Sequence, residues 1–148
     1  MKKRRRAREL ALQGLYASEI SGNAIDVVLK EVSEWGDGED EVVAFASDLF
    51  KRAAEHKAAL DEDVASVVEN WEFKRIALVD RLILRMALCE LLYFDEIPPK
   101  VTINEAIDLA KEYSTAQSGR FINGVLDSLY QTLKIENKIT KRGRGLIE

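Results

Sequence analysis

The sequence predicts an all-α fold, a single domain built from about seven helices. Three observations predict it. Apolar residues recur at three- and four-residue spacing along most of the chain, and the alternation of a half-buried strand is scarce. The only prolines are the adjacent Pro98 and Pro99, so few positions forbid a helix. Turn-forming clusters are short and separate the periodic stretches cleanly.

The first helix runs from about Arg4 to Ile20 and stops at Ser21-Gly22-Asn23. Ala7, Leu10, Ala11 and Leu15 share one broad face, while Arg5, Glu9 and Gln13 recur every four residues on the other, with Arg6 beside them. The second helix spans about Ala24 to Trp35, with Ile25, Val28, Leu29 and Val32 apolar, and Gly36-Asp37-Gly38 breaks it. The third, about Asp40 to Lys57, carries Val42, Phe45, Leu49, Phe50 and Ala53. The fourth, about Leu60 to Asn70, carries Val64, Val67 and Val68.

The fifth, about Arg75 to Phe94, is apolar nearly all round and belongs in the centre of the core. Its charges (Arg75, Asp80, Arg81, Arg85, Glu90) argue against a membrane span. After Pro98-Pro99, Thr102-Ile-Asn-Glu105 reads as a capping box, which starts the sixth helix near Thr102 and carries it to about Tyr113. Ser118 is the expected N-cap of the seventh helix, which carries Phe121, Ile122, Val125, Leu126, Leu129 and Leu133 and fades near Ile135. Gly124 inside it predicts a close helix approach. Residues 1–135 are therefore the helical domain, and residues 136–148 a basic tail expected to be mobile.

Charge is unevenly placed. The net charge of the 148 residues is -4. Residues 1–8 hold six bases and no acid, residues 134–148 carry +3, and the body between them carries -13. A uniformly basic nucleic-acid binder is excluded. With 47% hydrophobic residues, so is a disordered chain. One cysteine, Cys89, permits no internal disulfide and suits a reducing compartment. The N-terminus lacks the apolar stretch of a secretory signal, so a cytoplasmic location is expected.

Much chemistry drops out as well. The lone histidine, His56, and Cys89 are too few for a Cys/His zinc site, and no phosphate-cradling glycine loop is present. His56 reads as a surface residue and Cys89 as a core residue. Acids are abundant enough for a carboxylate-only site, but nothing singles out a pair, so no catalytic residue, metal or cofactor is expected.

The basic head is the informative feature. Arg4, Arg5, Arg6 and Arg8 open a helix, where the positive end of the macrodipole disfavours cations. Helix stability therefore does not explain them, whereas forked recognition of phosphate does. The acidic body would confine a polyanion to a local site. Arg85, Lys111 and Arg120 are candidates to join it, with Tyr16, Tyr113 and Phe121 as stacking surfaces for unpaired bases. Phe121 fits core packing equally well.

Two blocks carry a family resemblance: RRRARELALQGLY from Arg4 to Tyr16, and VDRLILRMALCELLYFDEIPPKVTINEAIDLAKEYSTAQSGRFINGVLDSL from Val79 to Leu129. Together they resemble the NusB family of bacterial transcription antitermination factors. Residues 21–70 follow the family only in helical pattern. The resemblance implies two packed helical subdomains and no enzymatic activity. It implies binding of the boxA element of nascent ribosomal RNA together with NusE, a small-subunit ribosomal protein, on RNA polymerase with NusA and NusG. Carried over residue by residue, the RNA contacts fall on Arg4, Arg5, Arg6, Arg8, Gln13 and Tyr16, on Arg85, and on Gln117, Ser118, Arg120 and Phe121. Asp80 and Trp71 are candidates for partner contact, Trp71 being an equally ordinary core residue. Some members self-associate through the RNA face, so a homodimer stays open. Two alternatives remain: an RNA-binding module like the one that precedes some ribosomal RNA cytosine methyltransferases, which requires this chain to be a fragment, and a protein-interaction scaffold.

Overall fold

Eight α-helices and one 3-10 turn follow one another among the residues described by the computed structural model, which are 2–68 and 70–147, without the side chains of residues 2 and 70–72. The helices are α1 (Lys2–Ser21), α2 (Ile25–Trp35), α3 (Asp40–Glu55), α4 (Lys57–Val67), α5 (Asn70–Arg75), α6 (Leu78–Tyr93), α7 (Pro99–Tyr113) and α8 (Ser118–Ile135). No described helix is long and apolar enough to cross a membrane. The chain divides into two compact units, Met1–Lys57 and Ala58–Glu148.

In the first unit, α1, α2 and α3 pack pairwise. Ala7, Leu10, Ala11 and Leu15 from α1 are buried, as are Val28 and Val32 from α2 and Leu49, Phe50 and Ala53 from α3. Each such Leu or Phe contributes roughly 2 kcal/mol on removal from water. Gly14 allows the close approach. A Cβ there would lie 2.6 Å from Val32 Cγ2 and 2.9 Å from Phe50 Cδ1. The α2–α3 turn places Asp37 and Gly38 at φ 51° and 75°, left-handed values that suit Gly38.

In the second unit, α6 packs on α7 and α8, and α7 packs on α8. Residues 82–91 of α6 are all buried, as its all-round apolar sequence predicts. Two charged groups inside it find partners: Arg85 with Asp61 of α4, and Glu90 with the Thr102 hydroxyl at 3.0 Å. The predicted fifth helix is α6, which starts at Leu78 rather than near Arg75 because Ala77 takes an extended conformation (φ -55°, ψ 143°); the short α5 lies across the predicted end of the fourth helix and the gap that follows it.

The capping box is overturned. Helix α7 begins at Pro99, with Pro98 as N-cap, since a proline at the first helical position loses an N–H that had no intrahelical partner anyway. Thr102 is thus already inside the helix, and its hydroxyl goes to Glu90 instead of a cap. Ser118 is the first residue of α8 and not its N-cap; that position is Gln117. Gly124 has open space around it. The close approach on α8 is made by Gly119, where a Cβ would sit 3.1 Å from Lys111 Cε.

The tail makes contacts with the end of α6 and the turn after it. The Lys141 ammonium donates to the Glu90 and Phe94 carbonyls at 3.1 and 2.8 Å, satisfying acceptors at the C-terminal end of α6. The Arg142 amide donates to the Asp95 carbonyl at 3.0 Å, and its guanidinium pairs with the Asp95 carboxylate. Gly145 is buried on the Asp95 carbonyl, with no room for a Cβ. A 3-10 turn, Gly143–Leu146, carries the chain past this point.

Candidate nucleic-acid interface

In the first unit the site is the N-terminal half of α1. Its first turn contains no acid, so the arginines add to the positive end of the helix dipole. Arg4, Arg5 and Arg6 are exposed. The Arg4 guanidinium lies 4.2 Å from the centroid of the Phe45 ring of α3, and Arg8 lies 5.4 Å from it. At that distance the ring face attracts the Arg4 cation and uses none of its N–H donors in a conventional hydrogen bond. Lys3 makes a long, exposed ion pair to Glu41 at 3.6 Å and Arg6 a long one to the part-buried Glu9 at 3.9 Å, and at these lengths both are weak restraints. Gln13 is exposed and Tyr16 is 44% exposed farther along α1, so an amide and an aromatic ring follow the cations.

In the second unit the site is the α7–α8 junction. Gln117 and Arg120 are exposed, Tyr113 is 45% exposed and Phe121 38% exposed. The neighbouring Ile122 is fully buried. Helix α8 buries the stripe Ile122, Val125, Leu126, Leu129 and Leu133, and Phe121 falls off its edge. That answers the open question for Phe121: it is a surface ring beside a surface arginine. Tight packing of Gly119 against Lys111 fixes the start of α8 on α7.

Four of the residues expected to contact RNA or a partner lie inside. Arg85 is 4% exposed, and its guanidinium grips both Asp61 carboxylate oxygens at 2.9 Å. Arg8 is 3% exposed. Ser118 and Asp80 are also buried, and the Ser118 hydroxyl donates to Asp80 Oδ2 at 3.0 Å. Ser118 Oγ also lies 3.0 Å from Ser114 Oγ and 2.9 Å from Thr115 Oγ1, and it accepts from the Thr115 amide. This hydroxyl cluster holds the 114–118 turn on α6. Asp80 Oδ1 has no hydrogen-bond partner among the described residues. All four are buried here, and three of them (Arg85, Asp80 and Ser118) hydrogen-bond side chains on neighbouring elements. Trp71 lies in α5, with its side chain outside the described residues.

Phe45 is the residue that sequence reasoning passed over. Its spacing with Val42 and Leu49 marks it as core, and nothing local to it announces two arginines about forty residues upstream.

Comparison with known proteins places this geometry. The NusB family profile matches residues 5–131. The chain belongs to the NusB family. That family consists of transcription antitermination proteins and not of enzymes. The transcription antitermination protein NusB of Salinibacter ruber is 43% identical over 99% of this chain and 92% of its own length. NusB of Chloroherpeton thalassium is 39% identical over 98% of this chain and 69% of its own. Among solved structures, T. maritima NusB superposes with a TM-score of 0.79 at 32% identity, covering 90% of this chain and 96% of that one. The crystal structure of antitermination factors NusB and NusE in complex with dsRNA aligns at TM-score 0.80 and 27% identity, over 89% of this chain and 98% of that one. The NusB fold is thus the fold of this chain.

Proposed function

We propose that this antitermination factor binds boxA RNA of nascent ribosomal transcripts together with NusE, in the cytoplasm, within an RNA polymerase complex that includes NusA and NusG. The observation that carries the reading is the exposed arginine set Arg4, Arg5 and Arg6 on the first turns of α1, with Arg4 seated on Phe45. The solved complex of a NusB relative with NusE and dsRNA supports RNA as the ligand class and NusE as the partner. The contact set is Arg4, Arg5, Arg6, Gln13 and Tyr16 on α1, and Gln117, Arg120 and Phe121 at the start of α8. Cations anchor phosphates. Tyr16 and Phe121 offer rings to unpaired bases, which supply the sequence preference that phosphates lack. The acidic body, at -13, suits a basic ribosomal protein.

The double variant Arg5→Glu/Arg6→Glu tests it. Acids near a helix N-terminus favour the helix, so lost RNA binding in this variant is not lost folding. About four phosphate contacts on single-stranded RNA give a slope of log affinity against log salt near -3 for the wild type, falling to near -1.5 in the variant. Fluorescence anisotropy with labelled boxA RNA reads both. An unchanged slope and affinity would remove α1 as the anchor.

A further inference from the structure

The basic C-terminal segment has no part in the site above, yet it builds a groove. Two adjoining cavities of about 470 and 450 Å³ lie along α7, α8 and the tail, and share Pro99, Tyr130, Lys134 and Ile147. The tail wall is latched: Lys141 holds it to the α6 carbonyls, and Gly145 seats it on Asp95. Without that latch Ile147 would leave both cavities, and the groove would lose one side.

The lining is chemically selective. Its charged members are Lys100, Lys134 and Lys141 against Asp127 alone, a local excess of cation on a chain whose body is strongly acidic. The Lys134 ammonium sits 5.2 Å from the centroid of the half-buried Tyr130 ring. An aromatic ring and a cation held side by side are what single-strand sites present to a base and its neighbouring phosphate. Asn104, Asn123 and Gln131 line the same wall and are exposed. Each carries both a donor and an acceptor, which matches the mixed edge of a nucleobase better than the acceptor-only carboxylates of an acidic peptide.

We propose that the α7–α8–tail groove is a second nucleic-acid site that takes single-stranded RNA flanking the element bound at α1. The proposal rests on the RNA-binding reading given above. Tyr130 stacks a base, Lys100 and Lys134 neutralise phosphates, and the amides meet base edges. Lys141 and Gly145 are positioning residues that keep the tail wall in place.

Two RNAs test it with the full chain and NusE: the boxA element alone, and the same element with uridine flanks containing 4-thiouridine. The wild type should bind the flanked RNA about tenfold more tightly, the lower range for one base stacked on an aromatic ring. Tyr130→Ala and Lys134→Glu should abolish that gain and leave affinity for the short element unchanged, with the fold checked by circular dichroism. Flank cross-links should fall on α8 between residues 123 and 134. If the wild type gains nothing from the flanks, or both variants keep the gain, the groove is not an RNA site. Displacement of groove NMR signals by a glutamate-rich peptide, with no response to uridine RNA, would assign it to a protein partner and overturn the proposal. If the wild type binds neither RNA, the RNA-binding reading itself fails, a result distinct from binding of the short element alone.

Discussion

Replacing Arg85 separates a structural role from a ligand-contacting one. Arg85 is 4% exposed and makes two 2.9 Å bonds to Asp61, itself about one-fifth exposed. Arg85→Met leaves that carboxylate without its partner in a mostly buried position. Breaking a buried pair on one side costs about 3–5 kcal/mol, and the partial exposure of Asp61 places this case near 3. For a domain of this size the melting temperature should fall by about 6–12 °C. Removing both charges in Arg85→Met/Asp61→Leu should recover most of the loss, because the paired guanidinium and carboxylate were costly to bury in the first place. Thermal melts by circular dichroism give the double-mutant cycle. Anisotropy with boxA RNA, below the melting range, should show affinity within about twofold of wild type. A variant that melts normally and loses RNA would show that Arg85 reaches the ligand directly.

Two further outcomes follow from packing and protonation. Gly14→Ala should destabilise by about 1–3 kcal/mol, since its Cβ meets Val32 and Phe50 at under 3 Å, whereas Gly124→Ala, in open space on α8, should stabilise by about 1 kcal/mol; the two melts should shift in opposite directions, and a fall for Gly124→Ala would contradict the packing described. Burial lowers the pKa of Lys141 from 10.5, against the opposing pull of the Glu90 and Asp95 charges. The docked tail therefore binds fewer protons than the undocked one between that lowered value and 10.5, and docking should strengthen as pH rises through this window. The neutral amine still has two hydrogens for its two carbonyls. Ile147 methyl shifts followed against pH, with Lys141→Met as the flat control, measure it; weakening with rising pH would reverse the sign.

What was legible in the sequence was whatever repeats locally. Helix α8 runs Ser118 to Ile135, as its long apolar stripe predicts, and the α1 face is as the period draws it. The short α5 went unseen and the start of α6 was set three residues early, because Ile76 and Ala77 are both apolar and no glycine, proline or serine marks the break. The start of α7 was misplaced because two valid signals competed, a Thr-x-x-Glu box and a proline at the first position, and the proline prevailed. The site divided along the same line. The exposed arginines of α1 follow from sequence, but Arg85 depends on Asp61, 24 residues away, and Ser118 on Asp80, 38 away. The contacts of the tail leave no local sign either, since Lys141 reaches carbonyls 47 and 51 residues upstream. Long-range pairs leave no periodic trace.

The seat of Arg4 on Phe45 has a consequence for kinetics as well as affinity. A free arginine side chain carries about 2 kcal/mol of rotamer entropy, and a ligand that immobilises it must offset that loss. At Arg4 part of that loss has already been incurred when α1 packs on α3, so in the proposed RNA site the first phosphate would meet a side chain already held in place. Arg4 is thus suited to the encounter, ahead of side chains that order only on contact.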